Sequence, residues 1–290
     1  MKKNQVLGLA LSFAVSMWFS SCQKEQQQTS VDTTTAVSVA QDDATTENLY
    51  DDVYSEMDGS VSDLEANNYS AAGLKSASTE GSKTITVDHP DTSNFPKTIT
   101  ITFSNWTDNA GRVKNGKIII NVTGKYRAVG SVKTLTLQDF SIDSMRIEGT
   151  KTVTNLGRNS AGYLQYEVKL VGGKVTFADG KSATLEFLKT RTWVAGDITP
   201  KIIMDDAYTV EGTANGTNRN GVSFTRVITS PLYIAADCPW IAKGTIVLTS
   251  GDRTMTIDYG DSDAVCDNVA TVTVNGVTKE IKLPRGKKRL

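Results

Sequence analysis

Residues 243–259 read KGTIVLTSGDRTMTIDY, and this stretch decides the fold class. Apolar and polar residues alternate on both sides of Gly251-Asp252, a pair that suits a two-residue hairpin turn. The apolar side chains fall on one side, as a half-buried antiparallel hairpin requires. Counting outward from the turn predicts these facing pairs: Ser250 with Arg253, Leu248 with Met255, Ile246 with Ile257, Val247 with Thr256 and Thr245 with Asp258.

The same period of two recurs from Lys83 to the end of the chain. Turn residues such as Gly172-Gly173, Asp179-Gly180 and Asn275-Gly276 separate the alternating runs. Short connections between successive strands predict an all-β domain over residues 83–290, an antiparallel meander that forms a large sandwich or an open barrel-like sheet. Strands are expected near 84–88, 97–103, 117–123, 132–138, 145–154, 162–171, 174–178, 182–194, 207–214, 222–234, 243–249, 253–259, 269–274 and 277–283.

One amphipathic helix precedes the β domain, within an acidic helix and linker that span residues 40–82. Gly59 is expected to break or bend this helix. The single apolar stripe needs a cover, which either the β domain or the helix of a partner could provide. The stripe recurs at three- and four-residue steps and consists of Leu49, Tyr50, Val53, Tyr54, Met57, Val61 and Leu64.

Charge is divided unevenly along the chain. Residues 23–80 contain twelve acidic residues against Lys24 and Lys75, whereas residues 81–290 carry an excess of seven basic residues. A basic domain can indicate nucleic acid as a partner, but an exported protein seldom meets it. The acidic segment can also neutralise the basic domain from within the chain.

Residues 1–21 are typical of a signal peptide, with Lys2 and Lys3 ahead of an apolar run too short to span a bilayer. Ser20-Ser21-Cys22 resembles the lipobox of bacterial lipoproteins, which implies lipid attachment at Cys22. The alternative is an ordinary secretory signal with a chance cysteine. Residues 22–39 lack a helical period and predict a flexible tether. Gln23-Lys24-Glu25 resembles the signal that takes Bacteroidota lipoproteins to the outer face of the outer membrane.

Cys238 and Cys266 remain after lipidation, in a compartment where disulfides persist. The hairpin register places Cys238 opposite Val265, one residue from Cys266, so we predict a disulfide between the two cysteines. The alternative is a pair of buried free thiols.

Chemistry-bearing residues form no catalytic signature, no metal-ligand spacing and no cofactor motif, so no catalytic residue, metal or cofactor is assigned. The lone histidine, His89, is expected in a surface turn. Glu148 and Glu211 are the one carboxylate pair that a repeated sequence singles out, and alternation directs both toward solvent or a neighbouring Arg. Trp106, Trp193 and Trp240 are candidate glycan-stacking residues, with burial in the core as the alternative.

Several motifs resemble a group of Bacteroidota surface-exposed lipoproteins of unassigned function. They are the lipobox, the acidic helix, Phe-Pro-Lys-Thr-Ile-Thr-Ile at 95–101, Asp-Cys-Pro-Trp-Ile at 237–241, Asp-Tyr-Gly at 258–260 and the stretch at 266–273. Asp143-Ser144-Met145 and Asp32-Thr33-Thr34 resemble the O-glycosylation site of exported proteins from this phylum, which implies modification at Ser144 and Thr33. The resemblance implies location and carries no activity.

These observations predict a lipid-anchored protein of the outer membrane, exposed at the cell surface. Its expected role is non-enzymatic, in envelope structure or ligand binding, with an envelope protein or a glycan as candidate partner and the membrane as its anchor. A glycan-binding module of a nutrient-capture system and a polysaccharide-active hydrolase are the alternatives.

Overall fold

The structure is a computed structural model that describes residues 22–70, 76–78, 81–91, 93–199, 202–260 and 263–283, with backbone alone for 22–36, 76–78 and 203. Residues up to Thr35 and residues from Ala36 onward form two compact units, and the contacts below belong to the second. Among the described residues, no helix is both long enough and apolar enough to cross a membrane.

One α-helix and fourteen strands follow each other in the described chain, with a short 3-10 turn at Ile203–Asp205. The helix is α1 (Cys22–Ala66). The strands are β1 (Ser76–Ser78), β2 (Gly81–Val87), β3 (Lys97–Thr107), β4 (Val113–Val122), β5 (Val132–Ile142), β6 (Met145–Arg158), β7 (Leu164–Thr176), β8 (Ser182–Ala195), β9 (Ala207–Thr217), β10 (Ser223–Ala235), β11 (Lys243–Ser250), β12 (Arg253–Asp258), β13 (Val269–Val274) and β14 (Val277–Lys282).

All the strands join one antiparallel sheet in sequence order, which confirms the predicted meander. The sheet is open, with β1 and β14 at its two edges, so of the two expected arrangements the chain adopts the single open sheet. The five facing pairs predicted around Gly251-Asp252 all occur between β11 and β12. In the turn between β13 and β14, Asn275 and Gly276 both have positive φ, as a type I′ turn requires.

From β2 to β13 the strands divide their side chains between a buried inner face and a more exposed outer face. In β3, Ile99, Ile101 and Phe103 are buried, whereas the alternating Thr98, Thr100 and Thr102 are partly exposed. The inner face carries α1, and the apolar stripe of the helix is buried there. Of the two covers expected for this stripe, the structure shows the β domain. Each fully buried side chain contributes roughly 1.5–3 kcal/mol of hydrophobic stabilisation. In α1 these side chains include Tyr50, Val53, Met57, Val61 and Leu64.

The helix is longer than its sequence pattern indicates. It begins at Cys22, so it includes the segment 22–39 expected to be a tether. It also continues through Gly59, where a break or bend was expected. A glycine inside a helix costs roughly 1 kcal/mol, and burial of Met57 and Val61 on either side outweighs that cost.

Gly172-Gly173 forms a β-bulge instead of the predicted turn. The expected strands 162–171 and 174–178 are one strand, β7, with register shifts at this point. A Cβ on Gly173 would lie 2.2 Å from the Leu185 carbonyl oxygen and 3.0 Å from the hydroxyl of Tyr50. The glycine therefore serves the close approach of α1 and β8.

Candidate functional site at the helix–sheet interface

Acidic side chains of α1 meet basic side chains of the inner face along the buried part of the helix. Glu56 accepts a hydrogen bond from Lys83 at 2.7 Å and another from Lys114. Asp58 lies 3.2 Å from Lys133. The acidic side chains of α1 therefore face basic side chains of the sheet, as neutralisation within the chain requires. Further ion pairs of α1 among the described residues are Asp42–Arg219, Asp43–Arg226, Glu47–Arg226, Glu47–Lys189, Asp51–Lys151 and Asp52–Arg112.

These pairs fix the direction of α1 across the sheet. Asp43 contacts Arg226 of β10, and Glu56 contacts Lys83 of β2, so the helix crosses from β10 toward β2. Tyr50 lies between these points, and its hydroxyl donates to the Glu148 carbonyl beside the bulge. The helix thus fills the inner face over most of the strands.

Arg226 is a buried cation of the interface that contacts two carboxylates of α1. It donates to Asp43 at 2.8 Å and to Glu47 at 2.5 Å. Burial opposes ionisation of Glu47, but Arg226 and Lys189 outweigh it and lower the pKa of that carboxyl. Burial raises the pKa of Asp43 despite Arg226. Among the described residues, Oδ1 of Asp43 has no hydrogen-bond partner.

Lys151 is a buried cation that lies among aromatic rings. Its ammonium lies 4.7 Å from the ring centre of Tyr54 and 5.4 Å from that of Phe187. It donates to the Tyr50 carbonyl at 3.4 Å, and the Asp51 carboxylate is 4.0 Å away. Burial is the largest influence and lowers the pKa of Lys151 to about 8.

An aromatic cluster surrounds Arg191 next to this lysine. Arg191 lies 3.5 Å from the ring centre of Tyr208 and donates to the Tyr54 hydroxyl at 3.1 Å. Asp206 accepts from Trp193 Nε1 at 3.2 Å and from the Tyr208 hydroxyl at 3.1 Å. Burial raises the pKa of Asp206. The guanidinium of Arg191 thus stacks on the Tyr208 ring, and its hydrogen bond to Tyr54 holds α1 against the sheet.

Sequence reasoning assigned none of these inner-face cations, although a signal was present. The lysines occupy the same phase of the strand alternation as buried aliphatic residues: Lys97 precedes Ile99, Lys133 precedes Leu135, and Lys151 precedes Val153 by two residues. A lysine in phase with the core needs either an anion or a route to solvent. The acidic helix was the anion source available in this chain.

The candidate glycan-stacking tryptophans do not form one platform. Trp193 is 6% exposed and packs against Tyr208. Trp106, on β3, is half-buried against the core, and five strand steps separate β3 from β8, the strand of Trp193. Trp240 is half-buried in the connection after β10.

The predicted disulfide between Cys238 and Cys266 is confirmed, with an S–S distance of 2.13 Å and a Cα–Cα distance of 5.7 Å. It joins the connection after β10 to the connection before β13. The bridge therefore ties the hairpin of β11 and β12 at its open end.

The modification candidates lie at very different places. Ser144 is exposed in the two-residue turn between β5 and β6, where Asp143 has positive φ. Thr33 lies outside the residues whose side chains are described, and the structure gives Cys22 a backbone position at the start of α1.

The acidic candidates are separate from each other. Glu148 of β6 lies 3.5 Å from Arg146, and Glu211 is exposed on β9, three strand steps away. His89 is exposed beside Asp88. Within the described ranges, no three His, Cys, Asp or Glu side chains are grouped closely enough to hold a metal ion. No family model, no curated protein and no solved structure matches the chain.

Proposed function

We propose that this chain is a lipid-anchored protein of the outer membrane, displayed at the cell surface, whose β domain acts in envelope structure or ligand binding without catalysis. The observation that carries the proposal is the occupied inner face. Because α1 fills it with paired charges and apolar contacts, partners meet the outer face and the strand connections. A glycan or an envelope protein fits such a surface better than a substrate that needs a deep cleft.

The anchor half of the proposal rests on the leader. Its short apolar run ends at Ser20-Ser21-Cys22, which resembles a lipobox. A single acyl chain holds a protein weakly at a membrane, and a diacylated cysteine holds it stably. We expect membrane association to depend on Cys22 and not on the β domain.

Protease treatment of intact cells tests the proposal. We expect added protease to remove the β domain while a periplasmic marker protein stays intact. A Cys22→Ser variant should leave the membrane fraction but keep its disulfide and its fold. Survival of the wild-type domain on intact cells, with digestion only after lysis, would contradict surface display.

A further inference from the structure

Three connections meet at one end of the sheet and bring two arginines to a single acidic residue. Arg127, between β4 and β5, donates from Nη1 to the Asp197 carbonyl oxygen at 2.5 Å. Arg158, at the end of β6, donates from Nη2 to the Asp197 carboxylate at 2.6 Å and from Nη1 to the Gly162 carbonyl at 2.6 Å. Asp197 itself lies in the connection after β8. Two guanidinium groups thus share one residue as acceptor.

Two more polar groups at this end have no hydrogen-bond partner among the described residues. They are the hydroxyl of Tyr166 and Nδ2 of Asn155, both buried. The two residues face each other across β6 and β7. The charges of Arg127 and Arg158 both act on the Tyr166 hydroxyl, whose pKa burial raises to about 12. Arg127, Arg158, Tyr166 and Asn155 can all donate hydrogen bonds, so donors outnumber acceptors at this end of the sheet.

The surroundings suit a ligand with an apolar body. Val129 packs on Gly157, the neighbour of Arg158, and remains 73% exposed. Ile198, the neighbour of Asp197, is 84% exposed. Arginine is over-represented where carboxylates and phosphates are recognised, and these two aliphatic side chains lie next to the arginine site. Since Ile198 is so exposed, little apolar contact holds the Asp197 segment in place.

We propose that Arg127 and Arg158 form a binding site for an external oxyanion, a carboxylate or phosphate group of an organic ligand, and that Asp197 is the chain's own occupant of this site. Tyr166 and Asn155 supply further donors once Asp197 leaves. Arg127 stacks on Trp193 with its guanidinium carbon 4.8 Å from the ring centre, which keeps that cation oriented toward the site. The inference deepens the ligand-binding half of the proposed function and rests on it.

Opposite effects of two substitutions test this assignment. The full chain carrying Cys22→Ser is titrated with inorganic phosphate and, separately, with glucuronate, and binding is followed by the arginine side-chain resonances in NMR. Asp197→Asn removes the negative charge that competes for Arg158, so we expect affinity to rise roughly two- to fivefold, the range of one partly exposed ion pair. Adding Arg158→Met to Asp197→Asn should abolish saturable binding. Asp139→Asn, a charge-matched control at an exposed residue of β5, should bind as the parent chain does.

Phosphate and glucuronate distinguish a phosphate ligand from a carboxylate ligand, and saturable binding of either probe supports the site. The proposal would be overturned if the Asp197→Asn chain bound the probes with the same affinity with and without Arg158→Met. It would also be overturned if the Asp197→Asn chain showed no saturable binding. Sodium chloride at matched ionic strength controls for screening. Failure here would leave surface display untouched, because that claim is measured by protease on cells.

Discussion

Replacing Lys151 by methionine removes the buried ammonium but keeps an unbranched side chain of similar length between Tyr54 and Phe187. The pKa of Lys151 falls from 10.5 to about 8 in the folded chain. Each unit of that difference is about 1.4 kcal/mol, so burying the charged form costs about 3 kcal/mol near pH 7.

The sign of the pH dependence follows from proton binding. The folded pKa lies below the unfolded pKa, so between about pH 8 and 10.5 the unfolded chain holds more protons at Lys151 than the folded chain does. The free energy of unfolding of the wild type therefore rises with pH across this window. The methionine variant lacks this rise, and its stability relative to the wild type should drop by about 3 kcal/mol between pH 7 and 10.5.

Urea unfolding at pH 7, 8, 9 and 10 measures this difference, with both chains in the Cys22→Ser background. Lys169→Met serves as a control because Lys169 is exposed on the outer face of β7. Its effect should stay within about 0.5 kcal/mol at every pH. Parallel stability curves for wild type and Lys151→Met across the window would refute the argument that burial depresses this pKa.

Three further predictions concern the framework. Thiol labelling of the unfolded, unreduced Cys22→Ser chain should find no reactive thiol, and reduction of Cys238–Cys266 should lower the free energy of unfolding by about 3.5 kcal/mol; two reactive thiols before reduction would exclude the bridge. Gly173→Ala should destabilise the protein by roughly 1–3 kcal/mol, because the new Cβ meets a carbonyl oxygen at 2.2 Å. Gly59→Ala, whose Cβ has nothing within 4 Å, should stabilise it by roughly 1 kcal/mol. Equal effects of the two substitutions in thermal unfolding would contradict this reasoning. Arg226→Met should cost about 3–5 kcal/mol in urea unfolding because two carboxylates lose their buried partner, and a loss below 1 kcal/mol would count against the buried pairs.

The sheet was predictable because its signals are local. Alternation and turn residues lie within a dozen positions of each other, so the β11–β12 register followed from Gly251-Asp252 alone. The same reasoning brought Cys238 near Cys266, and the bridge forms there. Gly172-Gly173 was mistaken for a turn because a bulge and a turn share the same glycine preference.

The interface was only half predictable. The apolar stripe and the charge imbalance indicated that α1 neutralises and covers the β domain, but they could not pair individual residues. Arg226 meets Asp43 and Glu47 from more than 170 positions away, and that pairing depends on the order and register of all the intervening strands. The lowered pKa of Lys151 could not be predicted from the sequence either, because it results from burial beneath α1 and not from residues of its own strand.

The central claim is that α1 is part of the folded core of the β domain. Hydrogen exchange of the full Cys22→Ser chain, read by mass spectrometry, tests it most directly. Peptides that cover residues 49–64 should exchange as slowly as peptides from β3 to β8, since helix and sheet would open together. Exchange of the helix within seconds, while the strands stay protected, would contradict the account.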